Sequence, residues 1–339
     1  MGRAGAIFRA FVAIGGLTGG KPKRTLTSNQ TDQITYGGID VAFFEPTPPM
    51  RVVLRNTLLA VGFRRLLDCH SVGNVIGRLG SDTIDLLIVD MDGDPDGICK
   101  VVRDIRESQL GPDPFLAIMA LTSNAVPDVI RRVLDVGCDD LITRPIAPKA
   151  LAERTVNLVH KRKAFVVTPS YVGPDRRGSD RGSEDAPKIV VPNALRHKAT
   201  GDPGSAVTAA ALKAARATIA KLRIAQIAAQ IGDEALRIKA RAPVGDGARI
   251  GTADYGALIG MVDAVTRLIS NHELCELEPL GASMAKLAET IAGRAMPDER
   301  ALSELHLHGE AIAAMANGDA ASAELTARVL NRPFPDAAE

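Results

Sequence analysis

The sequence predicts an α/β domain at residues 38–163, with a doubly wound five-stranded parallel sheet, followed by an all-α helical bundle domain at 206–332. Three observations predict it. In the first half, short apolar runs alternate five times with helix-patterned segments, the pattern of β–α–β crossovers and hence of parallel pairing. In the last third, apolar residues recur at three- and four-residue spacing with no strand pattern among them. Between the two lies a stretch dominated by Gly, Pro and charge.

Taken in order, residues 1–37 read as a disordered leader. Arg3 and Arg9 flank a short apolar stretch, Ala10 to Leu17, but Gly15 and Gly16 interrupt it and no small-residue cleavage site follows. Residues 18–37 are polar and rich in Gly, Thr and Lys, a composition that buries too little apolar surface to fold alone. The strands are predicted at Val41–Phe44, Leu66–Cys69, Leu86–Val89, Phe115–Leu121 and Leu141–Thr143. The helices are predicted at Met50–Leu59, Val72–Leu79, Ile98–Ile105, Val126–Leu134 and Ala150–Val159. Residues 164–205 read as a flexible linker, with Phe165–Val167 and Ile189–Val191 as the segments able to lie along a domain surface. In the bundle, Ile224, Ile227, Ile231 and Ile238 form one stripe, and Leu258, Val262, Val265 and Ile269 a second. Leu277, Met284, Leu287 and Ile291 form a third, Leu302, Leu305 and Ile312 a fourth, and a short helix over 320–330 closes it. Residues 333–339 are a tail.

Composition narrows the function classes. Lys plus Arg is 41 against 40 Asp plus Glu, so no global field draws the chain to nucleic acid or an anionic membrane. With no Trp, three Tyr and eight Phe, stacking platforms for bases are scarce. Cys69, Cys99, Cys138 and Cys275 show no paired spacing and read as thiols in a reducing cytoplasm, neither a disulfide frame nor a zinc site. No apolar run approaches the ~20 residues of a membrane helix.

The chemistry-bearing residues lie at strand ends, where ligands of open α/β sheets bind. The third strand closes Asp85-Leu-Leu-Ile-Val-Asp90 and opens into Met-Asp-Gly-Asp-Pro-Asp-Gly97. The fourth closes Ala120-Leu-Thr122-Ser123, and Gly137 to Pro145 has the form Gly-x-Asp-Asp-Leu-x-x-Arg-Pro. This ordered set, spread over about 125 residues, resembles the receiver domain of response regulators in two-component phosphorelay signalling. The resemblance implies that Asp90 is the phospho-acceptor, forming an acyl phosphate. It implies Thr122 and Arg144 as phosphoryl contacts. It also implies magnesium held by Glu45, Asp90 and the backbone carbonyl of Asp92. The implied partners are a sensor histidine kinase or phosphotransfer protein on the input side. On the output side they are a protein partner of the helical domain or a second copy of the chain. Neither nucleic acid nor membrane is implied, and the chain reads as a non-enzymatic regulator.

Four departures from the resemblance shape the expectation. Phe44-Glu45-Pro46 carries Pro46 where the family has a second acid, Leu141 replaces an aromatic, and Arg144 stands in place of Lys. The loop after Asp90 is also one residue shorter. Fewer oxygen ligands weaken a hard cation's site, and a planar guanidinium is not interchangeable with an ammonium. A second reading is therefore a phosphorylation-independent pseudo-receiver adaptor. A third gives the bundle a histidine phosphotransfer or phosphatase role through His306, His308 or His272, provided that one of them is exposed at mid-helix. Finally, Lys213 to Arg241 carries seven basic and two acidic residues, a solvated face or a surface for an acidic partner. Gly173-Pro-Asp-Arg-Arg177 reads as a turn that clips the linker onto the receiver-like domain.

Overall fold

A computed structural model describes residues 34–176, 187–241, 252–292 and 299–332. The expected leader up to residue 33 and the tail 333–339 lie outside the described residues. Residues 34–37 do not belong to a leader. Ile34 and Tyr36 pack on the sheet's core, and the Tyr36 ring meets Phe63 edge-on at 5.1 Å.

The first domain runs β1 (Asp40–Phe44), α1 (Pro48–Val61), β2 (Arg65–Cys69), α2 (Val72–Ser81), β3 (Leu86–Asp90) and α3 (Pro95–Arg106). It continues with β4 (Ala117–Thr122), α4 (Pro127–Val136), β5 (Asp140–Thr143) and α5 (Pro148–His160). All four strand pairings are parallel, in the order β2-β1-β3-β4-β5. Strands β3 and β4 are buried along their whole length because helices cover both faces, which is why they read as continuous apolar runs. One face packs Val75, Leu79, Ile98, Val102, Ile105 and Val133 of α2, α3 and α4. The other packs Leu54 and Leu58 of α1 and Leu151 and Leu158 of α5. Local sequence sets the boundaries. Proline opens α1, α3, α4 and α5 at a position where no amide hydrogen is needed. Asp94 caps α3 by accepting from the Gly97 amide at 3.0 Å, and Gly62 and Gly137 end α1 and α4 in the left-handed region. The strand order reverses between β1 and β3, so a crevice opens at their carboxyl ends, where Glu45 and Asp90 lie.

The reading of 164–205 as a flexible linker is corrected over its described residues. Strands β6 (Phe165–Thr168), β7 (Tyr171–Pro174) and β8 (Lys188–Ile189) form an antiparallel sheet ordered β7-β6-β8. Helix α6 (Ala194–Thr200) then buries Leu195 and Ala199 on the receiver-like domain. The segment's few apolar residues suffice because partners far away in sequence bury them. Phe165 is fully buried, edge-on to Phe115 at 5.9 Å and covered by the guanidinium groups of Arg106 and Arg162 at 5.1 and 5.2 Å.

The remaining helices are α7 (Ala209–Arg241), α8 (Thr252–Asn271), α9 (Glu278–Ala292), α10 (Glu299–Asn317) and α11 (Ser322–Leu330). The four stripes read from sequence form one core. Helices α7 and α10 cross in backbone contact: a Cβ on Gly309 would lie 2.5 Å from the Ala228 carbonyl oxygen, so only glycine fits there. The first half of α7 docks on the small sheet, where Ile219 joins Phe115, Phe165, Val167 and Val172. Gln226 Nε2 donates to the Val167 carbonyl at 3.1 Å and Arg223 Nε to that of Pro169 at 3.1 Å. No described helix is long and apolar enough to cross a membrane.

Candidate functional site: a carboxylate pocket closed by arginine

Glu45, Asp90, Asp92, Thr122 and Arg144, singled out from four separate segments, converge at the carboxyl end of the sheet. Glu45 and Asp90 are 1% and 3% exposed, so both carboxyl groups depend on internal partners. Arg144 supplies them. Its Nη2 donates to Asp90 Oδ1 at 2.7 Å and to Glu45 Oε2, and its side chain is itself largely buried. The Thr47 amide completes Glu45 Oε1 at 2.9 Å, and the Gly93 amide completes Asp90 Oδ2 at 2.9 Å. Burial pushes the Asp90 carboxyl above the usual carboxylate range against the pull of Arg144, and the neighbouring Glu45 charge adds to the rise.

Asp92 takes a role the sequence reading did not give it. The resemblance implied only its backbone carbonyl, as a metal ligand; its carboxylate reaches across to the end of β4. Oδ1 accepts from Thr122 Oγ1 at 2.7 Å, and Oδ2 from the Ser123 amide at 2.7 Å. Burial raises the Asp92 carboxyl, but the hydrogen bonds from Thr122 and Ser123 together outweigh it and hold the group below its ordinary range. Pro46 lies over the same crevice. A Cβ on Gly93 would stand 2.4 Å from Pro46 Cγ, so the ring fills the space beside the loop after Asp90.

This donor set does not fit the magnesium expected of Glu45, Asp90 and Asp92. Magnesium needs oxygen ligands arranged octahedrally. Here the two carboxylates expected to bind it turn to a guanidinium, and Pro46 brings no further carboxylate. Among the described residues, no group of three or more His, Cys, Asp or Glu could hold a metal ion. The guanidinium of Arg144 already neutralises the charge of these two carboxylates.

A second charged cluster, missed in the sequence, lies at the opposite end of the sheet. Asp139 accepts from Arg106 Nη2 at 2.9 Å, Arg162 Nε at 2.8 Å, Arg162 Nη2 at 3.1 Å and the Ile118 amide at 2.8 Å. Arg106 also donates to the carbonyls of Gly137, Pro114 and Leu116. The signal was present: Arg106 follows Val102 by four residues on the apolar face of α3, an interior position for a cation. Gly173 and Pro174, read as part of a turn, are instead the end of strand β7, but the contact with the receiver-like domain does form: Arg176 pairs with Asp135 of α4 and stacks 3.7 Å from the centre of the Tyr171 ring; Arg177 lies outside the described residues. The basic stretch of α7 is spent partly inward, through Arg223.

None of the three histidines is exposed at mid-helix. His308 is 3% exposed, bonded to Ser283 Oγ at 2.7 Å and to the Glu304 carbonyl at 2.7 Å. His306 is half-buried against Gly232, with Glu310 at 3.7 Å. His272 is half-buried beside Arg216 and Arg223.

The five-stranded order and its crossovers make a receiver-like α/β fold, followed along the chain by a helical C-terminal region. The solved structures found to resemble the chain include CheY-like receiver domains and pilus assembly proteins. The chemotaxis protein CheY4 of Vibrio cholerae is 19% identical, with 34% of this chain and 94% of that chain covered and a TM-score of 0.31. The receiver domain of a sensor histidine kinase from Pseudomonas aeruginosa is 20% identical over 35% and 95%, with a TM-score of 0.32; it has magnesium coordinated in its active-site cleft. A pilus assembly-related protein of Burkholderia pseudomallei is 17% identical over 35% and 87%, with a TM-score of 0.32. No protein-family profile and no curated protein matches the sequence.

Proposed function

We propose that the chain is a non-enzymatic, phosphorylation-independent adaptor of receiver architecture, in which the α/β domain is a docking module and the helical domain carries the output. One observation carries the reading: Arg144 Nη2 sits between the carboxylates of Glu45 and Asp90 in a pocket that Pro46 narrows. An aspartate serves as phosphoryl acceptor when its oxygen is free to attack and a divalent ion offsets the charge brought together there. With Arg144 on Oδ1 and the Gly93 amide on Oδ2, Asp90 instead anchors the ends of β3 and β5. The phosphorelay reading, with Asp90 as acceptor and a histidine kinase as partner, is the alternative that the experiment decides against or restores.

Output through the bundle is supported by the common core of β6, β7 and α7, which makes the helical domain continuous with the receiver-like one. The expected partner is another protein or a second copy of the chain. A reducing, cytoplasmic setting suits the unpaired thiols of Cys69, Cys99 and Cys138, all buried.

The test is intact mass after incubation with acetyl phosphate and magnesium, for wild type and Asp90→Ala. No phosphoryl increment is expected on wild type. An increment on wild type that Asp90→Ala abolishes restores the phosphorelay reading.

A further inference from the structure

The donors at the end of β4 are aimed at an anion, and the chain supplies that anion itself. Thr122 is fully buried and gives its hydroxyl hydrogen to Asp92 Oδ1, and the Ser123 amide points to Asp92 Oδ2. Two charge-assisted bonds of 2.7 Å, from a hydroxyl and the next backbone amide onto one carboxylate, form a directional seat. Thr122 Oγ1 also accepts from the Asn124 amide at 3.1 Å, so the seat fixes the chain that leads into α4. The far end of α4 is fixed as well. Gly137 lies in close contact with β7, where a Cβ would be 3.4 Å from the Val172 carbonyl oxygen, and Asp135 pairs with Arg176 beside the Tyr171 ring. Strand β7 pairs with β6, which packs on α7.

We propose that the Asp92 carboxylate is a built-in clasp: it fills the anion seat made by Thr122 and Ser123, and so holds the start of α4 in the engaged position without any covalent modification. Helix α4, gripped at both ends, passes that position to β7 and from there to the helical domain. This inference rests on the phosphorylation-independent reading and deepens it, by naming the group that takes the place a transferred phosphoryl would otherwise need. A free anion of similar size competes for the seat only when the clasp is removed.

Hydrogen exchange on the full chain tests it, in wild type, Asp92→Ala and Asp92→Asn. Asp92→Ala should exchange about tenfold faster or more over residues 123–130, since the Ser123 amide loses its acceptor and the Thr122 hydroxyl that accepts from the Asn124 amide is no longer held. A smaller acceleration should reach 171–174, while β3 amides stay unchanged as a control for folding. Asp92→Asn, which keeps one acceptor for Thr122 but none for a second donor, should fall between. Inorganic phosphate at millimolar concentration should slow 123–130 in Asp92→Ala and leave wild type unchanged. Wild-type exchange rates over 123–130 in Asp92→Ala refute the clasp, and phosphate acting equally on both proteins refutes the anion seat. Neither outcome touches the parent reading, which falls only if acetyl phosphate adds a phosphoryl group to Asp90.

Discussion

Replacing Asp139 by alanine removes the carboxylate that bridges two buried guanidinium groups at the base of the sheet. Both arginines and Asp139 have side chains at most 6% exposed, so solvent cannot replace the lost charge. Breaking a buried ion pair from one side costs about 3–5 kcal/mol, because the surviving charge is left uncompensated. Two effects pull in opposite directions here. A pair of cations is stranded, which raises the cost. Arg106 keeps three carbonyl acceptors and Arg162 keeps those of Leu116 and Pro192, which lowers it. The middle of the range, about 4 kcal/mol, is the expected loss. Against a typical total of about 5–15 kcal/mol that is a large share. With a urea dependence near 3 kcal/mol per molar, the unfolding midpoint should fall by about 1.3 M. Asp139→Asn, which keeps acceptor oxygen without the charge, should lose clearly less. Urea unfolding followed by circular dichroism measures both. A loss below about 1 kcal/mol for Asp139→Ala would show that the cluster is not what joins the small sheet to the receiver-like domain.

Three further outcomes are expected. Gly309→Ala should destabilise the bundle by about 1–3 kcal/mol in thermal unfolding, although alanine is the better helix former, because the new methyl group meets the Ala228 carbonyl across the α7–α10 crossing. Burial first, then the positive charges of Arg216 and Arg223, hold His272 below its ordinary pKa, and burial does the same for His308. The unfolded chain, with histidines near 6.5, then binds protons more readily than the folded one. Their contribution to stability is present above about pH 6.5 and is lost as pH falls below it, so the urea midpoint should drop between about pH 7.5 and 5.5, and His308→Gln should flatten that drop. Pro46→Asp combined with Arg144→Lys should raise magnesium affinity at least about tenfold in a titration calorimeter, since it adds a carboxylate and withdraws the guanidinium fork. Unchanged affinity would mean that position 46 does not face the pocket.

The local pattern determined much of this protein. Five apolar runs of strand length alternating with helical stripes are short-range features, and parallel pairing follows from the length of the crossovers. Parallel strands deliver their ends to one side of the sheet, which puts Glu45, Asp90, Thr122 and Arg144, each at or one residue past a strand end, together there, as the resemblance implied. The four bundle stripes were legible for the same reason, one face per helix. What only the tertiary structure decided were the partnerships of charged and marginally apolar groups. Nothing near Asp92 in sequence shows that its carboxylate crosses to Thr122 and Ser123, or that Arg144 turns inward to Glu45, ninety-nine positions away. Segment 164–176 looked like a linker because its own sequence lacks the apolar content to fold. It is ordered because Arg106, Phe115, Arg162 and Ile219 bury Phe165 and its neighbours. Burial of that kind is a property of residues far apart in the chain, and composition within a window cannot register it.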